Sequence, residues 1–208
     1  MKYLTSSAVL LLAAFAAAQA PTRAETFTNP LGFTYTIPTD WQLMDYSALA
    51  KERARENAAT ADAKKGLACT EMGLLARHGS PSSVIAEVAL PFDCFGQTMT
   101  DNDLPGFASG ASEGLRGNID LGEPVLGTYT LGSHMFWIER ANGTLKQNPS
   151  IPYTIEIACT VAKKAAVCWM TMAADQSALN TFEHGAVSVD GDPPAPLVPP
   201  TAFDKKPS

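Results

Sequence analysis

Apolar and polar residues alternate through Phe33-Thr34-Tyr35-Thr36-Ile37, the period of a half-buried strand, and Pro38 closes the run ahead of Trp41. From Ser47 to Lys65 the pattern changes. The segment is Ala-rich, carries Lys51, Glu52, Arg53, Arg55 and Glu56, lacks Gly and Pro, and predicts a solvated helix that Gly66 ends. Leu67 to Ala76 and Ser83 to Leu90, joined by His78-Gly79-Ser80-Pro81, predict a hairpin. After Asp101 and Asp103, the residues Leu104, Phe107, Ala108, Ala111 and Leu115 recur at helical spacing, with Gly117 available as a stop.

The second half reads mostly as strand. Val125 to Leu131, His134 to Ala141, Tyr153 to Val161 and Ala165 to Ala173 are divided by Gly132-Ser133, Asn142-Gly143 and Lys163-Lys164. Asp175 to Glu183, with Leu179 and Phe182 on one side, predicts a short closing helix. From Asp190 to Ser208, Gly, Pro and Asp dominate, and this Pro-rich tail is expected to be extended or disordered. Residues 25–189 are left for a single domain. Neighbouring strands joined by short turns rather than crossover helices indicate an α+β fold with a mainly antiparallel sheet.

The chain opens with Lys2, an apolar run from Ala8 to Ala18 and small residues, the layout of a secretory signal. Cleavage after Ala18 is favoured over Ala20, because Pro21 would follow the second site; the signal is therefore residues 1–18. The run is too short to span a bilayer, and no later stretch is long and apolar enough to do so. A periplasmic or secreted protein follows. The net charge of -6 offers no basic face for nucleic acid. The expected partner is an unidentified protein or small-molecule ligand.

In an oxidising compartment, four Cys without close pairs point to disulfides rather than zinc, and nothing suggests another metal or a cofactor. A turn centred on Lys163-Lys164 sets Ala162 opposite Ala165 and, counting outward, Cys159 opposite Cys168. The same count pairs Ile157 with Met170 and Ile155 with Met172, keeping one face apolar. A similar count about the turn near Gly79 to Ser82 brings Cys69 close to Cys94.

The segment Asn29-Pro30-Leu31-Gly32-Phe33-Thr34-Tyr35-Thr36-Ile37-Pro38-Thr39-Asp40-Trp41 resembles the opening strand, Pro and Trp of the PsbP-like fold family. That family is named for the extrinsic oxygen-evolution subunit of photosystem II and shared with a Ran-binding import factor. The strand Met135-Phe136-Trp137-Ile138, the hairpin through Lys163-Lys164 and the helix bearing Phe182 follow in the family's order. The resemblance implies an α/β/α sandwich, a mainly antiparallel central sheet flanked by helices, and a non-enzymatic binding or assembly role. No photosystem-specific or Ran-specific residue is matched, so no partner is carried over.

Gly110-Ala111-Ser112-Glu113-Gly114 matches the G-x-S-x-G of hydrolase nucleophile elbows, but the preceding residues read as helix, not strand. Glu71 and Glu87 interrupt the first hairpin and could form a carboxylate pair in some registers, although alternating polar residues on a strand ordinarily face solvent. Gly106, Gly110 and Gly114 form a stripe that reads as close helix-on-sheet packing, with a ligand-facing groove as the other reading. His78, His134 and His184 are too far apart in sequence to be read as metal ligands, and solvated or capping roles are expected. Asn142-Gly143-Thr144 is a glycosylation acceptor and, more simply, a hairpin turn. Met135, Met170 and Met172 read as core filling, and Trp41, Trp137 and Trp169 as partly buried aromatics, with a sugar platform as the alternative. Two functions stand side by side: an exported non-catalytic binding or accessory module of the cell envelope, or a secreted hydrolase using Ser112 or the Glu71/Glu87 pair.

Overall fold

The computed structural model describes residues 24–44 and 68–204; the signal and the helix expected at Ser47 to Lys65 lie outside them. Two antiparallel sheets form the frame. The larger places β3 (Gln42–Leu43), β4 (Glu71–His78), β5 (Ser83–Pro91), β10 (Ala165–Ala173), β9 (Asn148–Val161), β8 (His134–Leu145) and β6 (Ile119–Leu121) side by side, with β7 (Val125–Leu131) also paired to β8. The smaller runs β1 (Glu25–Asn29), β2 (Phe33–Ile37), β11 (Ala186–Val189) and β12 (Ala195–Pro196). The described helices are α1 (Phe92–Phe95), α2 (Leu104–Arg116) and α3 (Gln176–Glu183), with a 3-10 turn at Asp101–Asp103.

The helix-flanked α/β/α sandwich is not what forms. One face of the large sheet carries α2, while the other is covered mainly by the smaller sheet, so the described residues are predominantly strand. The reason lies in alternation. Phe33, Tyr35 and Ile37 on β2 and Val187 and Val189 on β11 turn one apolar side inward, where they meet Val167 and Trp169. Ala186–Val189 is only four residues long and β1 is mostly polar, so neither carries a strong strand pattern of its own.

The long hairpin follows the expected register. Cys168 pairs with Cys159, Met170 with Ile157 and Met172 with Ile155. The Cys159 and Cys168 sulfurs lie 1.93 Å apart, and those of Cys69 and Cys94 lie 2.11 Å apart. Asn142-Gly143 is not a turn. Both residues lie inside β8, which continues to Leu145 before reversing into β9 at Asn148. Gly143 serves a close approach instead, since a Cβ there would come 2.9 Å from the Asp120 carbonyl oxygen on β6.

The Pro-rich tail differs most from expectation. Leu197, Val198 and Ala202 are buried in the core between the sheets. The Tyr129 hydroxyl donates to the Leu197 carbonyl at 2.6 Å, and the Leu197 and Val198 N–H groups donate to Gly185 and Glu183 carbonyls. Prolines set φ and bring no N–H that burial would strand, so an irregular apolar strap can close a core edge.

Candidate functional site

Helix α2 starts behind a capping box, in which Thr100 N–H donates to the Asp103 carboxylate, and Pro105 occupies its first turn. Leu104, Ala108 and Ser112, four residues apart, form the buried line that faces the sheet. The small Ser112 therefore sits where the helix meets β8, and its hydroxyl donates to Glu139 Oε2 at 2.6 Å. The Trp137 indole N–H donates to Glu139 Oε1 at 3.2 Å. Both carboxyl oxygens thus accept a bond, and Glu139 is only 8% exposed.

These residues line a cleft of about 280 Å³ between one flank of α2 and strands β6 to β9. Its walls combine Leu121, Leu126, Ile155, Ile157 and Trp137 with Ser109, Glu113 and Arg116. Arg116 pairs with Glu113 at 2.9 Å and donates to the Leu121 carbonyl at 2.9 Å.

On the other flank of α2 runs an apolar groove, about 410 Å³ in its larger part, lined by Gly106, Gly110, Gly114, Phe107, Val88 and Met170. The glycine stripe is not a packing seam, because, apart from the adjoining backbone of α2 itself, no atom lies within 4 Å of a Cβ built on Gly106, Gly110 or Gly114. The helix rests on the sheet through the Leu104 line, and the glycines occupy its exposed flank.

The carboxylate pair is not assembled. Glu71 faces Ala89 and is exposed, whereas Glu87 faces Leu74 across a bulge at Gly73 and is fully buried. Glu87 instead accepts from the Asn29 amide of β1 at 3.3 Å. Burial pushes its carboxyl up to about 7, against the opposing pull of Asn29 and the Trp169 indole N–H. Glu156, on the same sheet face, is likewise raised to about 7 by burial and held by Arg140, which also pairs with Glu183 on α3.

None of the three histidines reaches Ser112. His134 Nδ1 meets the Val161 carbonyl at 3.0 Å and its Nε2 faces Asp190; His184 caps α3 on the Asn180 carbonyl; His78 stacks on Trp41. Trp169 is core, packed against Phe33 and Phe136, and of the three tryptophans only Trp137 lines the cleft. Among the described residues, no three His, Cys, Asp or Glu side chains converge as metal ligands would.

The residue that organises this cleft, Glu139, was not singled out from the sequence. Its signal was available: a charged side chain directly after the apolar run Met135-Phe136-Trp137-Ile138, two residues from Trp137 on the same strand face.

No protein-family profile matches the sequence, and no curated protein does. Among solved structures, the chain is similar to the solution structure of cyanobacterial PsbP (CyanoP) from Synechocystis sp. PCC 6803, with a TM-score of 0.45 and 9% identity over 79% of this chain and 88% of that one.

Proposed function

We propose that the chain is an exported, non-catalytic binding or accessory module of the cell envelope that engages its protein or small-molecule partner through the α2 cleft. The observation that carries this reading is the Ser112–Glu139–Trp137 cluster, its serine and carboxyl buried and its indole half-buried, at the wall of an open cleft. It is a fixed polar anchor among apolar walls, the usual composition of a ligand site. Cysteine pairs at disulfide distance suit an oxidising compartment, and no described helix is long and apolar enough to cross a membrane.

Catalysis by Ser112 has one point in its favour, the short bond to Glu139. Against it, the serine lies inside a helix whose neighbouring N–H groups are spent on helical bonds, so no oxyanion donors stand beside it. The test is a panel of ester, amide and glycoside substrates with the purified chain and its Ser112→Ala variant. No turnover is expected, and turnover lost on that single change would establish the hydrolase reading instead. N-terminal mass analysis of the exported form is expected to find Gln19 first; retention of Met1 would overturn the export claim.

A further inference from the structure

Resting on the reading of the α2 cleft as a binding site, we propose that it takes an alkyl cation, a primary ammonium or guanidinium group on an apolar stem, with Glu139 as the counter-charge. A carboxylate at 8% exposure is costly unless it is paired. Two hydrogen bonds offset part of that cost, and each oxygen keeps a further acceptor site. Among the described residues the arginines are committed elsewhere: Arg77 to Gln42, Arg116 to Glu113, and Arg140 to Glu156 and Glu183.

Charge counting within the cleft points the same way. Glu113 and Arg116 cancel, and Glu139 leaves the cleft negative. An anionic ligand would meet that charge with Arg116 already engaged, and a neutral one would dehydrate the carboxylate without replacing its water. Leu121, Leu126, Ile155 and Ile157 offer the stem an apolar wall, and the Trp137 indole adds an aromatic surface of the kind that attracts cations.

The test is calorimetric titration of the purified chain with n-hexylammonium, hexanol and hexanoate, which share a stem and differ in charge. Hexylammonium is expected to saturate one site, with hexanol at least about tenfold weaker and hexanoate inert. Glu139→Gln, which keeps a hydrogen-bonding head for Ser112 and Trp137, is expected to weaken hexylammonium by about tenfold or more and to leave hexanol unchanged. If Glu139→Gln lowers thermal stability, Trp137→Phe supplies the check, since it retains the charge and must retain the preference for ammonium. Equal binding of hexanol and hexylammonium would overturn the cation assignment while leaving the cleft a binding site. Binding of all three probes unaffected by Leu126→Trp, which fills the cleft, would remove the cleft reading itself.

Discussion

The Arg140 guanidinium carbon lies 4.4 Å from the centroid of the Phe203 ring, and the same side chain pairs with Glu156 on β9 and Glu183 on α3. One cation thereby joins the large sheet, the closing helix and the C-terminal strap. Phe203 packs against the core that Leu197, Val198 and Ala202 enter directly.

The strap should therefore behave as core. Leu197→Ala is expected to cost about 2–5 kcal/mol, as deletion of a fully buried leucine does, and Tyr129→Phe about 1–2 kcal/mol through the lost bond to the Leu197 carbonyl. Urea unfolding followed by circular dichroism measures both. An unchanged midpoint for Leu197→Ala would show that the strap is not part of the folded unit.

Glycine substitutions should split by position. Gly110→Ala meets open space in a helix interior and is expected to stabilise by about 0.5–1 kcal/mol. Gly127→Ala and Gly73→Ala should destabilise by more than about 1 kcal/mol, because the new methyl collides with the Ala202 carbonyl oxygen and with the Glu87 carboxyl, respectively. Thermal melts of the three variants decide it, and a destabilised Gly110→Ala would restore the packing-seam interpretation.

Stability should fall as pH rises through the window set by the buried carboxyls. An unfolded glutamate releases its proton near 4.5, whereas folded Glu87 and Glu156 hold theirs to about 7. Between those values the folded chain binds more protons than the unfolded one, so raising pH favours unfolding until the slope flattens above about 7. Melting temperature is expected to be higher at pH 5 than at pH 8. Glu87→Gln should shrink that difference and stabilise at pH 8 by about 1–3 kcal/mol. A Glu87→Gln variant with the full pH slope would locate the effect elsewhere.

The cysteine pairs are expected to be bonded as Cys69–Cys94 and Cys159–Cys168 in protein isolated without reductant. Chain-entropy arithmetic gives about 3.5 kcal/mol for the 25-residue separation and about 2.6 kcal/mol for the 9-residue one. Reduction should therefore lower stability more through the first pair. Non-reducing peptide mapping that recovers a Cys69–Cys159 or Cys69–Cys168 peptide, or free thiols, would refute the assignment.

Local pattern carried β2, β4, β5 and β7 to β10, the two principal helices and the β9–β10 register, because each was specified by residues a few positions apart, whereas β1, β3, β6, β11 and β12 were too short or too polar to announce themselves. Cys159, Ile157 and Ile155 could be aligned with Cys168, Met170 and Met172 by counting from one turn. What pattern could not supply was partnership at long range. Nothing near Glu87 announces Asn29, which is 58 residues away, and nothing near Leu197 announces Tyr129, which is 68 away. The cleft was half legible for the same reason. Ser112 stood out through a motif that proved to be coincidental, while its partner Glu139 lies 27 residues on in another element.

The strap also sets an order of events during synthesis. Residues 197–202 complete a core whose other walls come from β2, β7 and β11, so a chain emerging from a ribosome has every earlier strand in hand before it can seal the space between its sheets. Until then the inner faces of Phe33, Tyr129 and Trp169 lack their final cover, and the nascent polypeptide would present a sticky, chaperone-accessible surface.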